Sequence, residues 1–291
     1  MPFAAKLKNL NRLKFKEALD VLAVLVKKKL RQKLCVEELL LMEFFDCLTL
    51  ADGYVTTKID SFLYIQLRGI YKNKIIKLRL KESSDIAVFK QVLCWEGYRP
   101  VREAYMQYFG HQDSLNIIDA GGNIGLTALY FCSVFENTNI VTVEPEPTNF
   151  ESLNYNLRET NVEKILGALW NKSASVKLLH NFRDRLSWST RVELSDKTDT
   201  TTTKGFTIED LRLRNQFDFI DILKIDIEGA EKELFAPGYV DFLQYTKCVA
   251  IEIHDEFDCR EAIEAILAQN DFFFFDAGEL TIAINNKLRY T

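Results

Sequence analysis

The spacing of apolar and polar positions changes along the chain and divides it into two parts. From residue 1 to about residue 50, Leu, Ala, Val and Phe recur three and four positions apart among lysines, which predicts helix throughout. Two strand-like segments follow, Ser61 to Leu67 and Lys74 to Leu80, and a turn between them predicts a β-hairpin. We therefore expect residues 1–82 to form a helical region with a short hairpin, serving as an oligomerisation surface or a substrate cap.

Helix signals lead into the second part of the chain. Ser83 or Ser84 is placed to cap a helix from Asp85 to Trp95, and Pro100 opens another helix toward Phe109. From Ser114 onward the pattern changes to an alternation of strands and helices, which is typical of βαβ units and a parallel sheet.

Seven strands are predicted in this second part. The last two are separated by only four residues, 276–279, which is too short for a crossover helix, so they should pair antiparallel. Residues 83–291 are thus expected to form an α/β domain with a mostly parallel seven-stranded sheet that ends in an antiparallel hairpin. The predicted strands are Leu115–Asp119, Ile140–Glu144, Lys164–Leu169, Phe219–Asp226, Cys248–Ile253, Phe272–Phe275 and Leu280–Ile284.

An insert at residues 171–205 interrupts the alternation. It contains two short strand-like pieces, Ser175–Leu179 and Thr190–Leu194, and a polar tract from Thr198 to Lys204. Such an insert either carries substrate contacts or a lid, or it is a surface hairpin with no special role. Thr207, followed three residues later by Asp210, predicts a capped start for the next helix.

Composition places the chain among ordinary globular proteins. It has 291 residues, 47% hydrophobic and 27% charged. Its six cysteines form no C-x-x-C pair, so we expect neither a zinc site nor a disulfide framework. No signal peptide is recognised, and the early apolar stretch from Val21 to Val26 is too short to cross a bilayer, so a cytoplasmic protein is expected.

The net charge of −5 is unevenly distributed. Residues 1–34 hold ten Lys and Arg against two acids, which gives +8 and leaves −13 for the rest. The acidic body argues against nucleic acid as a partner. The basic N-terminal helix is expected to be a solvated face rather than a membrane contact, and the helical start is a candidate homodimer surface.

A glycine-rich loop follows the first predicted strand of the α/β domain. Gly121, Gly122 and Gly125 permit a tight turn and a close approach to a ligand, and Asn123 tolerates left-handed geometry. The loop opens a helix, whose unpaired N–H groups suit an anion or a carboxylate. Asp119 stands directly at the end of the strand.

The next strand ends at Glu144, 19 residues after Gly125. An acid at this place accepts hydrogen bonds from both hydroxyls of a ribose. The dinucleotide pattern is incomplete, because Ala120 stands where its first glycine belongs. Asp119 would repel a pyrophosphate but attract an ammonium group. The charge pattern therefore favours S-adenosylmethionine over NAD as the cofactor.

Four segments resemble the FkbM family of S-adenosylmethionine-dependent methyltransferases. They are Ile118-Asp119-Ala120-Gly121-Gly122-Asn123-Ile124-Gly125, Val143-Glu144-Pro145, Leu223-Lys224-Ile225-Asp226-Ile227-Glu228-Gly229-Ala230-Glu231 and Ile251-Glu252-Ile253-His254. The resemblance extends from about Ser84 to Ile284 and implies a class I methyltransferase (Rossmann-like) fold. It also implies O-methylation, often of sugar or polyketide hydroxyls.

The resemblance assigns cofactor positions to residues of this chain. Asp119, Gly121, Asn123 and Gly125 are assigned to the methionine end of the cofactor. Glu144 is assigned to the ribose, and Ala168 is assigned to the adenine. Tyr98 is added as a wall of the pocket.

The reacting end needs a group that takes the proton of an acceptor hydroxyl. His254, at the end of a strand, is the first candidate base, with a satisfied core histidine as the alternative. Asp226 is the second candidate, as a base or as the group that orients the hydroxyl. Glu228 either bonds sugar hydroxyls or favours the start of the following helix. Glu252 lies on the same strand face as His254 and is expected to orient the imidazole.

The same four side chains can gather around a magnesium ion, which we do not favour, and no residue is assigned as a metal ligand. The sequence thus predicts an S-adenosylmethionine-dependent O-methyltransferase that releases S-adenosylhomocysteine and acts on a saccharide or a glycosylated or polyketide-type metabolite. Two alternatives stay open: an NAD-dependent dehydrogenase, and a non-catalytic interaction protein that keeps the fold.

Overall fold

The computed structural model describes residues 3–81, 83–179, 191–195 and 202–289. The chain divides into two compact units, residues 1–97 and residues 98–291. The predicted boundary after residue 82 and the role expected for the first part remain predictions. Among the described residues, none of the helices is long and apolar enough to span a bilayer.

The first unit begins with three helices rather than one continuous helix: α1 (Phe3–Lys8), α2 (Phe15–Lys29) and α3 (Val36–Leu50). The prediction of helix throughout residues 1–50 is therefore wrong. The apolar spacing persists across the breaks, but the backbone is extended at Lys14 and left-handed at Arg31. α3 then starts anew, because the carboxylate of Glu38 accepts the N–H of Cys35 at 3.0 Å.

Three antiparallel strands follow in the order β1 (Gly53–Ile59), β2 (Phe62–Leu67) and β3 (Lys74–Arg79). The predicted hairpin is confirmed by β2 and β3. β1 was not predicted, since its polar second half hides the alternation.

The next helix, α4 (Asp85–Phe89), continues as a π-helical turn over Lys90–Cys94. The expected side-chain cap from Ser83 or Ser84 is wrong, because Ser84 makes no such bond and the Ser83 hydroxyl donates to the carbonyl of Arg79. Asp85 is instead held by the Arg79 guanidinium at 2.7 Å.

The second unit is an α/β structure with two sheets. Its helices are α5 (Arg99–Phe109), α6 (Leu126–Val134), α7 (Pro147–Asn156), α8 (Ile208–Arg214), α9 (Glu231–Leu234) and α10 (Arg260–Gln269). Its strands are β4 (Leu115–Ala120), β5 (Thr138–Glu144), β6 (Glu163–Leu166), β7 (Ala168–Leu169), β8 (Ala174–Leu179), β9 (Arg191–Leu194), β10 (Thr202–Phe206), β11 (Ile220–Ile225), β12 (Thr246–Glu252), β13 (Phe272–Ala277) and β14 (Leu280–Asn285).

The larger sheet has seven strands in the order β13-β14-β12-β11-β4-β5-β6. Its strands pair in parallel from β12 to β6, whereas β14 pairs antiparallel with both β12 and β13. The predicted sheet and its antiparallel end are confirmed; the sheet is mixed. Because β5, β4, β11 and β12 run parallel, their carboxyl ends lie along one edge of the sheet, with β4 and β11 at its centre.

The insert forms a second sheet of four strands in the order β7-β10-β8-β9. The predicted strand Lys164–Leu169 is split at Gly167 into β6 and β7, which belong to different sheets. A Cβ on Gly167 would lie 2.6 Å from the Phe206 ring, so the close packing at the split requires glycine. Of the predicted pieces, Ser175–Leu179 falls within β8. Thr190 and most of the polar tract lie outside the described residues.

One apolar core spans both sheets, with Ile118 and Leu223 of the large sheet and Trp170 beside the small one. The capping box at α8 is confirmed, because Thr207 and Asp210 bond each other's backbone N–H at 3.0 and 2.9 Å. This core fixes the strand ends from which the candidate site is built.

Candidate functional site

The glycine loop is shaped by the strands beside it. Gly121 has φ +80°, and a Cβ there would lie 1.8 Å from the carbonyl oxygen of Asp226. A Cβ on Gly122 would lie 2.1 Å from Oγ1 of Thr142. Internal packing therefore requires glycine at both positions, whether or not a ligand approaches the loop.

The next residues turn the loop into helix α6. Asn123 has φ +47° and Gly125, with φ +82°, is the cap residue of the helix. The N–H of Asn123 donates to Oε2 of Glu144 at 2.8 Å. Oδ1 of Asn123 is buried and has no hydrogen-bond partner among the described residues, so the loop keeps one unsatisfied acceptor.

Glu144 is 4% exposed and ends β5 beside this loop. Its Oε1 accepts the N–H of Glu146 at 2.9 Å and the amide of Asn149 at 3.2 Å. Burial raises the pKa of Glu144 to about 7, although the N–H groups of Glu146 and Asn123 favour the charged form. The structure thus has a carboxyl group at the predicted ribose position, and this group is only partly ionised near neutral pH.

Asp119 is fully buried and faces partners on both neighbouring strands. The parallel register sets it opposite Thr142 of β5 and Lys224 of β11. Thr142 donates to Oδ2 of Asp119 at 2.8 Å, and Nζ of Lys224 lies 3.5 Å from Oδ1. The acid expected to attract a ligand ammonium therefore already has a cation beside it.

Lys224 was missed by the sequence analysis. It is 1% exposed, and its Nζ donates to the carbonyls of Ala120 and Gly121 at 3.1 and 2.5 Å. Nζ also lies 3.6 Å from Oδ2 of Asp226. Burial works against the charged form, but the charges around it raise the pKa of Lys224, so it stays a cation. A lone lysine inside an apolar strand was the available signal.

Tyr98 and Ala168 are both buried residues linked to these strand ends. The buried Tyr98 ring packs edge-to-face on Phe131 at 5.7 Å. Burial raises the pKa of the Tyr98 hydroxyl, on which the charges of Lys224 and Asp226 also act. Ala168 is 2% exposed and follows Gly167, whose N–H donates to the carbonyl of Glu144 at 3.1 Å. Tyr98 is thus electrostatically linked to the site, and Ala168 adjoins Glu144 through the backbone.

Asp226, Glu228 and His254 come together at the ends of β11 and β12. One ligand-type atom from each lies within 4.8 Å of the other two. Asp226 follows β11 directly, and Glu228 adopts a left-handed backbone with φ +52° in the turn after it. His254 follows β12, and its side chain is 1% exposed. The three residues predicted to act on the acceptor are thus brought together.

Glu231, not Glu252, orients the imidazole. Oε1 of the fully buried Glu231 lies 2.9 Å from Nδ1 of His254, whereas Glu252 lies 3.8 Å from Nε2. No role was predicted for Glu231. The available signal was its place in the run Glu228-Gly229-Ala230-Glu231, three residues after Glu228. The role predicted for Glu252 is therefore wrong.

The acids set the charge of this cluster. Burial opposes the imidazolium, but the bond to Glu231 and the nearby acids raise the pKa of His254 to about 9. Burial and the neighbouring Asp226 raise the pKa of Glu252 to about 8. At neutral pH, with no ligand bound, His254 is therefore protonated and must lose its proton before it can act as a base.

An open cavity of about 370 Å³ adjoins His254. Its lining is strongly acidic and includes one arginine: Glu252, Ile253, His254, Asp255, Glu256, Arg260, Asp276, Gly278 and Glu279. Such a lining offers many hydrogen-bond acceptors and little apolar surface, so it suits a ligand rich in hydroxyl or cationic groups.

No curated protein sequence matches this chain. Among solved structures, the chain is similar to a precorrin-6y C5,15-methyltransferase from Geobacter metallireducens GS-15, with a TM-score of 0.37, 12% identity and coverage of 65% of this chain and 89% of that one. It is also similar to M. jannaschii TYW2 in complex with AdoMet, with a TM-score of 0.36, 12% identity and coverage of 78% and 87%. A third is the human methyltransferase 10 domain containing protein, with a TM-score of 0.39, 12% identity and coverage of 64% and 80%.

The family assignment comes from the sequence itself. The family model of the methyltransferase FkbM domain matches residues 119–276, which is more than half of the 291-residue chain. The match begins at Asp119 and includes the glycine loop, Glu144 and the cluster of Asp226, Glu228 and His254. The same residues that the fold gathers at one sheet edge are those inside the matched region, and the chain belongs to the FkbM methyltransferase domain family.

Proposed function

We propose that this protein is an S-adenosylmethionine-dependent O-methyltransferase whose acceptor is a hydroxyl of a saccharide or of a glycosylated or polyketide-type metabolite. One observation carries the proposal. The glycine loop with Glu144 and the cluster of Asp226, Glu228 and His254 lie on neighbouring strands of the same sheet edge. A cofactor held by the first group therefore reaches an acceptor held by the second.

The residues at the loop fit this cofactor. Oδ1 of Asn123 is a buried acceptor without a hydrogen-bond partner among the described residues, which suits an ammonium group at the methionine end. Asp119 would lie beside that group, with its Oδ1 3.5 Å from Nζ of Lys224. Glu144 would accept the ribose hydroxyls once it is ionised. Ala168 would adjoin the adenine, and Tyr98 would form a wall of the pocket.

When bound, S-adenosylmethionine supplies a methyl group on a sulfonium, and the chain's part is to place the acceptor oxygen and remove its proton. Transfer of that methyl group would require the cluster to hold the acceptor oxygen in place and to accept its proton. His254 would take this proton after losing the one that its raised pKa holds at neutral pH, while Asp226 and Glu228 would hold the hydroxyl. The Glu231 bond supports this role by fixing the ring with Nε2 toward the two acids.

The acidic cavity supports a hydroxyl-rich acceptor. Carboxylates such as Asp255 and Asp276 would accept hydrogen bonds from sugar hydroxyls, and the lining has no Phe, Tyr or Trp side chain.

The test is transfer of a ¹³C-methyl group from labelled S-adenosylmethionine to a panel of glycosides and polyketide alcohols. The product is detected by the NMR signal of a new O-methyl group. We expect His254→Gln to abolish transfer. The matched control is Glu136→Gln, an exposed acid just before β5, at the end of the strand away from the site. Absence of transfer to any hydroxyl of the panel by a protein that binds S-adenosylhomocysteine would contradict the proposed hydroxyl chemistry. Undiminished activity of His254→Gln would remove that residue from the reaction.

A further inference from the structure

We propose that Asp226, Glu228 and His254 bind a divalent transition-metal cation. Each offers one ligand atom, and the three atoms lie within 4.8 Å of one another. The proposal goes against the sequence-based expectation that no metal is bound, and it rests on the geometry around one buried nitrogen.

That nitrogen is Nε2 of His254, which is buried and has no hydrogen-bond partner among the described residues. It points at two carboxylates, with Oε2 of Glu228 at 3.5 Å and Oε1 of Glu252 at 3.8 Å. Two ligands bound at about 2.1 Å to one cation, at angles of 90° to 109°, stand about 3.0–3.4 Å apart. The separation of His254 from Glu228 is therefore close to that of two atoms that share a cation.

The other ring nitrogen is already fixed as a metal-binding histidine requires. Nδ1 lies 2.9 Å from Oε1 of Glu231, which is fully buried and also accepts the N–H of Ile227 at 3.3 Å. A carboxylate behind the distal nitrogen selects the tautomer in which Nε2 is free to ligate. Glu231 thus acts as the supporting carboxylate of the site rather than as a ligand.

The backbone holds Glu228 toward the histidine. Glu228 has φ +52°, and the following Gly229 has φ +96°. A Cβ on Gly229 would lie 2.3 Å from the Phe257 ring, so the turn accepts only glycine at this point. A non-glycine residue in left-handed geometry, locked by such packing, is characteristic of functional sites.

Charge and ligand type define the class of cation. Three carboxylates, those of Asp226, Glu228 and Glu231, lie around His254, and Lys224 lies 3.6 Å from Asp226, so the cluster keeps a negative charge once His254 is neutral. One imidazole nitrogen with two carboxylates suits manganese, cobalt or zinc better than calcium or magnesium, which prefer oxygen ligands alone.

The consequence for catalysis rests on the proposed function. The cation would bind the acceptor hydroxyl as a further ligand and lower its pKa, which is a general role of such ions. His254 would then be a ligand rather than the base, which explains the need for Glu231 equally well.

The experiment is titration of the metal-free full chain with Mn²⁺, followed by electron paramagnetic resonance, in which bound Mn²⁺ loses the sharp six-line signal of the free ion. We expect one bound ion, and spin-echo modulation from a coordinated ¹⁴N that disappears in His254→Gln. Glu228→Gln and Asp226→Asn should weaken binding at least about tenfold, and Glu136→Gln should leave it unchanged. Asp226 and Glu228 are partly exposed, at 29% and 15%, so their variants should fold, which circular dichroism checks.

Absence of a bound ion at millimolar Mn²⁺ or Zn²⁺, or binding that the three variants leave unaltered, would overturn the proposal. The same preparation is titrated with S-adenosylhomocysteine. Metal binding without S-adenosylhomocysteine binding would uphold the metal site and contradict the proposed function. S-adenosylhomocysteine binding without metal binding would do the reverse.

Discussion

Glu144 should couple the stability of this protein and its affinity for the cofactor to pH in opposite directions. Its carboxyl is 4% exposed, and burial raises its pKa to about 7, against 4.5 for an ordinary glutamate. A group whose pKa is raised on folding binds its proton more tightly in the folded state. Its stabilising contribution is therefore complete below the unfolded pKa and is lost as the pH rises through the folded pKa.

The size of the effect follows from these two values. The difference between a pKa of 4.5 and one of about 7 is equivalent to roughly 3 kcal/mol, most of which is lost between pH 5 and pH 8. Glu144→Gln cannot titrate, and it also leaves one backbone donor, such as the N–H of Asn123, facing an amide group. That second cost is independent of pH, so it cancels when the difference between the two proteins is followed against pH.

Urea unfolding of wild type and Glu144→Gln at several pH values measures this difference. We expect the free energy of unfolding of wild type, relative to the variant, to fall by roughly 2–3 kcal/mol from pH 5 to pH 8. Affinity for S-adenosylhomocysteine should change the other way. Because the ribose hydroxyls need an ionised acceptor, wild type should bind about tenfold more weakly at pH 6 than at pH 8. A flat stability difference would show that the pKa is not raised. A pH-independent affinity would place the ribose elsewhere.

Three further predictions test the frame of the site. Gly121→Ala should cost several kcal/mol or prevent folding, whereas Gly238→Ala, also at positive φ but with open space around its Cβ, should cost about 1–2 kcal/mol by thermal unfolding. Lys224→Met should lower the free energy of unfolding in urea by about 3–5 kcal/mol, because Asp119 is left without its cation. Adding Asp119→Asn to the same chain should recover part of that loss, and strictly additive effects of the two substitutions would contradict the pairing. His254→Ala should abolish methyl transfer yet keep affinity for S-adenosylhomocysteine within a few-fold, as measured by calorimetry, and a large loss of affinity would give it a cofactor role.

The alternation of strands and helices made the large sheet predictable from sequence. Buried parallel strands appear as nearly continuous apolar runs, and the four residues between the last two predicted strands left only an antiparallel turn, as β13 and β14 confirm. The acids at the ends of these strands, Glu144 and Asp226 among them, were found because the topology brings all carboxyl ends to one edge.

What the sequence missed depends on contacts distant along the chain. The pairing of Lys224 with Asp119 follows from strand register, which periodicity does not specify. The choice of Glu231 over Glu252 as the partner of His254 depends on how the turn after β11 folds back. The breaks between α1, α2 and α3 were hidden because the apolar spacing runs through them, and only capping at Cys35 marks a new start.

The most direct test of the account is isothermal titration of the full chain with S-adenosylhomocysteine, with NADH as the comparison ligand. We expect one site of micromolar affinity for S-adenosylhomocysteine, weakened by about 1–3 kcal/mol in Glu144→Ala, and no binding of NADH. Absence of S-adenosylhomocysteine binding at millimolar concentration by a folded protein, or binding of NADH in its place, would contradict it.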